Sequence, residues 1–125
     1  MSAMFRLGEV SRAYEIAAGE YPAVALEAAV AEAEHRTARA KAILTVKARA
    51  KGESERISHA EAETRAEADD TVAALYLRRL TTAAIAESHR ERLRQLREQV
   101  AVGRTAVASE RLQDQLHSEG RTGAA

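Results

Sequence analysis

The chain has 125 residues, 19 basic and 19 acidic side chains and no cysteine. This length fits one domain, and zero formal charge argues against general non-specific DNA binding, which a strong positive field favours. The absence of cysteine excludes disulfides and thiolate chemistry and gives no support to an oxidising compartment.

Of the 57 hydrophobic residues, 29 are alanine, which leaves 28 larger apolar side chains. Only Phe5, Tyr14, Tyr21 and Tyr76 are aromatic. Alanine buries little area, and burial contributes roughly 25 cal/mol per Å². A globular enzyme core is therefore not expected. One proline and six glycines favour long helices with shallow, close packing instead.

In chain order, Gly8 and the Gly19–Pro22 cluster bracket a short helix expected over about Glu9–Ala18, with Val10, Tyr14 and Ala17 on one side. Arg6, Glu9, Arg12, Glu15 and Glu20 interrupt any signal-peptide core. With no stretch of 18 apolar residues, the expected location is the cytoplasm, away from membranes. A long helix is expected from Pro22, whose fixed φ suits a first helical position, to near Lys51. Its seam is read as Leu26, Val30, Ala33, Thr37, Ala40 and Leu44, at heptad spacing, widened by Ala29 and Ile43.

Gly52 follows basic residues where a C-cap glycine belongs and marks the hairpin tip. A longer helix is expected from about Ser54 to at least Ala101, with Leu116 as its farther limit and Gly103 as a candidate stop. Ser58-His59-Ala60-Glu61 matches a capping box, and Ser54 competes with it as N-cap. Val72, Leu75, Leu93, Leu96 and Val100 share one heptad register, with Arg79, Thr82, Ala86 and His89 between them. Those polar interruptions favour a helix that meets more than one neighbour over a strict two-stranded coiled coil.

Charge supports a hairpin. Arg36–Lys51 holds six bases and no acid, whereas Glu53–Asp70 holds seven acids and two bases. Folding at Gly52 lays one block beside the other; exposed ion pairs contribute about 0–1 kcal/mol each, enough to select orientation more than to stabilise.

Chemistry-bearing constellations are sparse. His35, His59, His89 and His117 are scattered, no H-E-x-x-H occurs, and zinc needs three or four convergent donors. No nucleophile elbow, Walker-type loop or dinucleotide fingerprint is present. Neither enzymatic activity nor a metal or cofactor is expected. The most function-like feature is a basic run: Arg90, Arg92, Arg94, Arg97 and Arg104, with Arg78 and Arg79 upstream. Arginine suits bidentate contact with carboxylate or phosphate, while Glu87, Glu91 and Glu98 allow pairing within the helix.

Tyr21–Ala33, Arg39-Ala40-Lys41-Ala42, Gly52, Ala60–Ala68, Leu93-Arg94-Gln95-Leu96-Arg97 and Arg104-Thr105 follow one another along the chain. In this order, over about Tyr21–Leu112, the chain resembles small Ala-rich helical proteins from early gene regions of tailed phages of actinobacteria and other Gram-positive hosts. Residues 1–20 have no counterpart in that pattern. The resemblance implies a non-enzymatic accessory role in DNA recombination or replication, in the cytoplasm of a host cell.

The expected fold is all-α: an elongated, coiled-coil-like antiparallel helical hairpin with a short N-terminal helix. Residues 1–20 would form the N-terminal segment, 21–118 the hairpin and 119–125 a flexible tail. Arg90, Arg94, Arg97, Arg104 and Thr105 are the candidate partner-binding residues, for a protein or alternatively DNA. Few large apolar residues on long helices also imply a homo-oligomer. The competing functional readings are a self-assembling structural protein and a small inhibitor of a host protein.

Overall fold

The computed structural model describes residues 2–123, with side chains to residue 120. Three α-helices account for most of them: α1 (Ala3–Gly52), α2 (His59–Glu67) and α3 (Asp70–Gly123). No strand occurs among the described residues. The contacts divide into two units, one of Met1–Tyr21 with Ser88–Ala125 and one of Pro22–Glu87.

In the first unit, α1 and α3 run antiparallel. The Ala3 amide donates to Glu110 Oε1 (3.1 Å), and at the other end Arg90 Nε donates to the Tyr21 hydroxyl (3.3 Å). Ala3, Leu7, Val10, Tyr14, Ala17 and Tyr21 of α1 are the more buried positions, against Leu93, Leu96, Val100, Gly103 and Val107 of α3. Both sets step alternately by three and four residues, the spacing of a heptad seam.

In the second unit α1 and α3 again run antiparallel, as the expected all-α hairpin requires. Arg79 reaches Glu32 (3.4 Å) and Arg78 reaches Glu34 (2.9 Å), so position numbers fall on α3 as they rise on α1. The seam of α1 here is Val24, Ala28, Ala31, His35, Ala38 and Ala42; that of α3 is Val72, Leu75, Arg79, Thr82 and Ala86. The α3 register is the one read from the sequence, and its polar members stay in the seam.

The α1 register corrects the sequence reading. Leu26, Val30, Ala33, Thr37, Ala40 and Leu44 are all exposed, Leu44 at 67%. The alanine-rich stripe faces α3 because small side chains allow close approach, and because this rotation gives Arg78 and Arg79 their carboxylate partners.

Two punctuation marks also behave differently from the sequence expectation. The short N-terminal helix is the first part of α1, which continues through Gly19 and Pro22. Ala17 and Tyr21 lie on the seam of the first unit, and Val24 and Ala28 on that of the second. Pro22 is exposed and leaves the Ala18 carbonyl without its usual helical donor. Gly103 lies inside α3 and faces Leu7; it serves close packing and does not end the helix.

Helix α1 ends in a Schellman motif. Glu55 N–H donates to the Ala50 carbonyl (2.8 Å) and Ser54 N–H to that of Lys51 (3.2 Å). The left-handed residue of this motif is Ser54 (φ 56°), and no described glycine has positive φ. Gly52 is therefore the last helical residue and not the conformational hinge. Ser58 wins the N-cap of α2, its hydroxyl accepting from Glu61 N–H (3.0 Å). A break that the sequence reading did not anticipate falls at Ala68–Asp69. There Asp69 Oδ1 accepts from the amides of Thr71 (3.0 Å) and Val72 (3.1 Å) and starts α3.

Helix α2 lies antiparallel on the last turns of α1. Ala62 and Ala66 pack on Ile43, with Ala42, Val46 and Ile57 around them. Arg39 pairs with Glu63 (3.4 Å) and Glu67 (3.3 Å), and Lys47 donates to His59 Nδ1 (2.7 Å). The basic and acidic blocks thus meet across the tip as expected, largely through Arg39. Residues 119–123 of the expected tail belong to α3; residues 124–125 lie outside the described residues.

Candidate functional site: an arginine line on α3

Helical spacing decides which arginines act together. Arg90, Arg97 and Arg104 follow one another at seven-residue intervals beside the seam, and all are exposed. Seven residues rise roughly 10 Å along a helix, so the guanidiniums are spaced along one edge of the first unit. Arg94 is exposed and adjoins this line. Because α3 runs past Gly103, exposed Arg111 continues it by one further interval. Sequence reasoning missed Arg111 by allowing Gly103 to stop the helix; the seven-residue interval was the signal for it.

The members differ in commitment. Arg94 is ion-paired with Glu91 one turn earlier. The guanidinium hydrogen bond holds the Glu91 carboxyl below its ordinary pKa, and Glu91 and then Glu98 raise that of Arg94. Arg90 donates through Nε and Nη2 to the Tyr21 hydroxyl, 3.3 Å in each case. Thr105 is exposed, and its hydroxyl donates to the Ala101 carbonyl of its own helix (3.2 Å).

Arg97 and Arg104 have no ion pair or hydrogen bond from their side chains to another described residue. They line a groove of about 470 Å³ together with Ser11, Tyr14, Glu15 and Val100. Their chemistry is that of two open guanidinium forks beside a wall of two hydroxyls and the Glu15 carboxylate, able to take carboxylates or phosphates. Elsewhere in this unit a second groove, of about 520 Å³, is lined by Leu7, Val10, Val102 and Ala106 together with Arg6, Gln95, Glu98 and Gln99.

A second polar centre, in the other unit, was not anticipated as a group. His35 is buried at 5% exposure, with the Tyr76 ring centroid 5.2 Å from its own. Arg79 Nη1 donates to His35 Nδ1 (3.2 Å), which puts the proton of the neutral ring on Nε2. Burial, then Arg79 and Arg39, push the His35 pKa below its ordinary value, while Glu67 opposes them weakly. A cavity of about 380 Å³ adjoins it, lined by His35, Glu67, Val72, Ala73 and Tyr76. The sequence placed His35 four residues from Arg39 but gave no sign that Arg79 would face it.

Among the described residues no three His, Asp or Glu side chains converge as metal ligands. No described helix is long and apolar enough to cross a membrane. Comparison with protein-family models, curated proteins and solved structures found no match for this chain.

Proposed function

We propose that the protein is a non-enzymatic phage accessory factor in DNA recombination or replication, and that it binds an acidic surface of a partner protein along the arginine line of α3. The observation that carries the binding reading is the pairing state of Arg97 and Arg104. Both are exposed cations without internal partners, set along one groove, whereas Arg94 is already satisfied by Glu91. The phage setting and the DNA-metabolic role rest on the resemblance of residues 21–112 to such accessory proteins. The neutral chain favours a protein partner over DNA, because non-specific DNA binding draws mainly on net positive field.

Affinity capture from infected-cell lysate, followed by mass spectrometry, identifies the partner. Replacing Arg97 and Arg104 by Ala leaves helicity intact, since Ala is the better helix former, and abolishes capture. Loss of capture with a shallow salt dependence and no competition by free DNA supports a protein partner. A steep salt dependence with DNA competition assigns the face to nucleic acid, and unchanged capture by the double variant refutes the site.

A second reading, self-association, has its own support in the outward stripe of α1, where Leu26, Val30 and Leu44 are exposed.

A further inference from the structure

Leu26, Val30, Ala33, Thr37, Ala40 and Leu44 all lie within the unit Pro22–Glu87 and are all exposed. They alternate steps of four and three residues, the spacing at which one helix seats its side chains between those of another. The stripe sits on the side of α1 away from its seam with α3, so the fold of the chain itself leaves it uncovered. We propose that this stripe is the contact surface for a second copy of the same chain, packed antiparallel with α1 against α1. The proposal rests on the self-association reading above and gives it a surface and a direction.

Three features select a second copy in this orientation. The stripe carries a leucine at each end and smaller side chains between them. A two-fold axis between Ala33 and Thr37 pairs Leu26 with Leu44 of the second copy, Val30 with its Ala40 and Ala33 with its Thr37, twice over by symmetry. The two leucines at its ends, 65% and 67% exposed, would then cover each other.

The flanking charges match as well. Glu27 and Lys41 are exposed, and neither side chain has an ion pair or hydrogen bond within the described chain. The same two-fold alignment brings Glu27 beside Lys41 of the second copy, again twice. The like charges that fall near the axis are already neutralised within each chain: Glu34 by Arg78 (2.9 Å) and Arg36 by Glu32 (2.6 Å).

A parallel pairing is disfavoured on the same grounds. Coiled-coil flanks in parallel helices meet five residues apart, which would set Arg36 of one copy beside Lys41 of the other. Zero formal charge adds no long-range repulsion between copies.

The test uses the full chain, whose lack of cysteine makes introduced thiols unambiguous. Sedimentation equilibrium is expected to give twice the 13.6 kDa chain mass. Leu26→Cys/Leu44→Cys is expected to form a disulfide-linked dimer on mild oxidation, while Leu26→Cys alone stays uncrosslinked because its thiols lie at opposite ends of the seam. Glu27→Lys and Lys41→Glu are each expected to weaken the dimer on the order of tenfold, and the two together to restore it. Far-UV circular dichroism checks that each variant remains helical. A monomer at high micromolar concentration overturns both self-association and this surface. A dimer that fails to crosslink in the 26/44 variant, or that crosslinks through residue 26 alone, overturns the surface and its direction while leaving self-association standing.

Discussion

Leu7 occupies the space that Gly103 leaves: its Cδ1 lies 3.0 Å from the point where a Cβ on residue 103 would sit. The glycine at this seam position is a packing device between α1 and α3. Gly19, also helical, has nothing within 4 Å of the corresponding point. The two alanine substitutions are therefore expected to differ. Gly19→Ala should raise stability by about 0.5–1 kcal/mol, the helix-interior gain of Ala over Gly. Gly103→Ala should gain less or lose stability, because Leu7 must move. Urea denaturation midpoints compare them directly, and equal gains would show that the Leu7 approach carries no constraint.

Ser54 holds the left-handed position that closes α1, a conformation that costs an L-residue other than glycine roughly 1–2 kcal/mol. Ser54→Gly is expected to stabilise the chain by about 1 kcal/mol, raising the thermal midpoint. Gly52 has no positive φ, and the position that a Cβ would take there has no neighbour within 4 Å. It is expected to accept Ala without loss. If Gly52→Ala were the damaging change and Ser54→Gly were neutral, the tip motif described above would be incorrect.

His35 gives the fold a pH dependence with a defined sign. Its pKa is lowered in the folded state by burial and by Arg79 and Arg39, so between the folded and unfolded values the unfolded chain binds more protons. Stability is then full above the ordinary value of 6.5, declines as the pH falls below it and levels off beneath the folded pKa. Urea midpoints between pH 7.5 and 5.5 should fall for the native chain. His35→Gln, which cannot titrate, should flatten that slope even where its absolute stability differs.

Local chemistry made much of the architecture legible from the residues alone. Alanine content and the scarcity of glycine and proline dictated long helices, the opposed charge blocks located the tip, and Ser58 with Glu61 marked a real N-cap. Each is a short-range property that survives without knowledge of neighbours. The α3 seam was equally readable, since Val72, Leu75, Leu93, Leu96 and Val100 outline one register.

Tertiary structure decided which way α1 faces. That helix carries two stripes at heptad spacing, and residue size alone pointed to Leu26, Val30 and Leu44. The inward choice went to Ala28, Ala31, His35, Ala38 and Ala42, whose small side chains allow close approach, and there the long-range partner Arg79 meets Glu32 and His35. Pro22 does not begin a helix, because α1 runs through it, and Gly103 does not end one: a continuous register on each side of it keeps more side chains packed than a helix end there would. The arginine line depended on that outcome. Only with α3 unbroken past Gly103 do Arg104 and Arg111 fall on the edge occupied by Arg97, since helical phase is carried by an unbroken backbone and is lost at a turn.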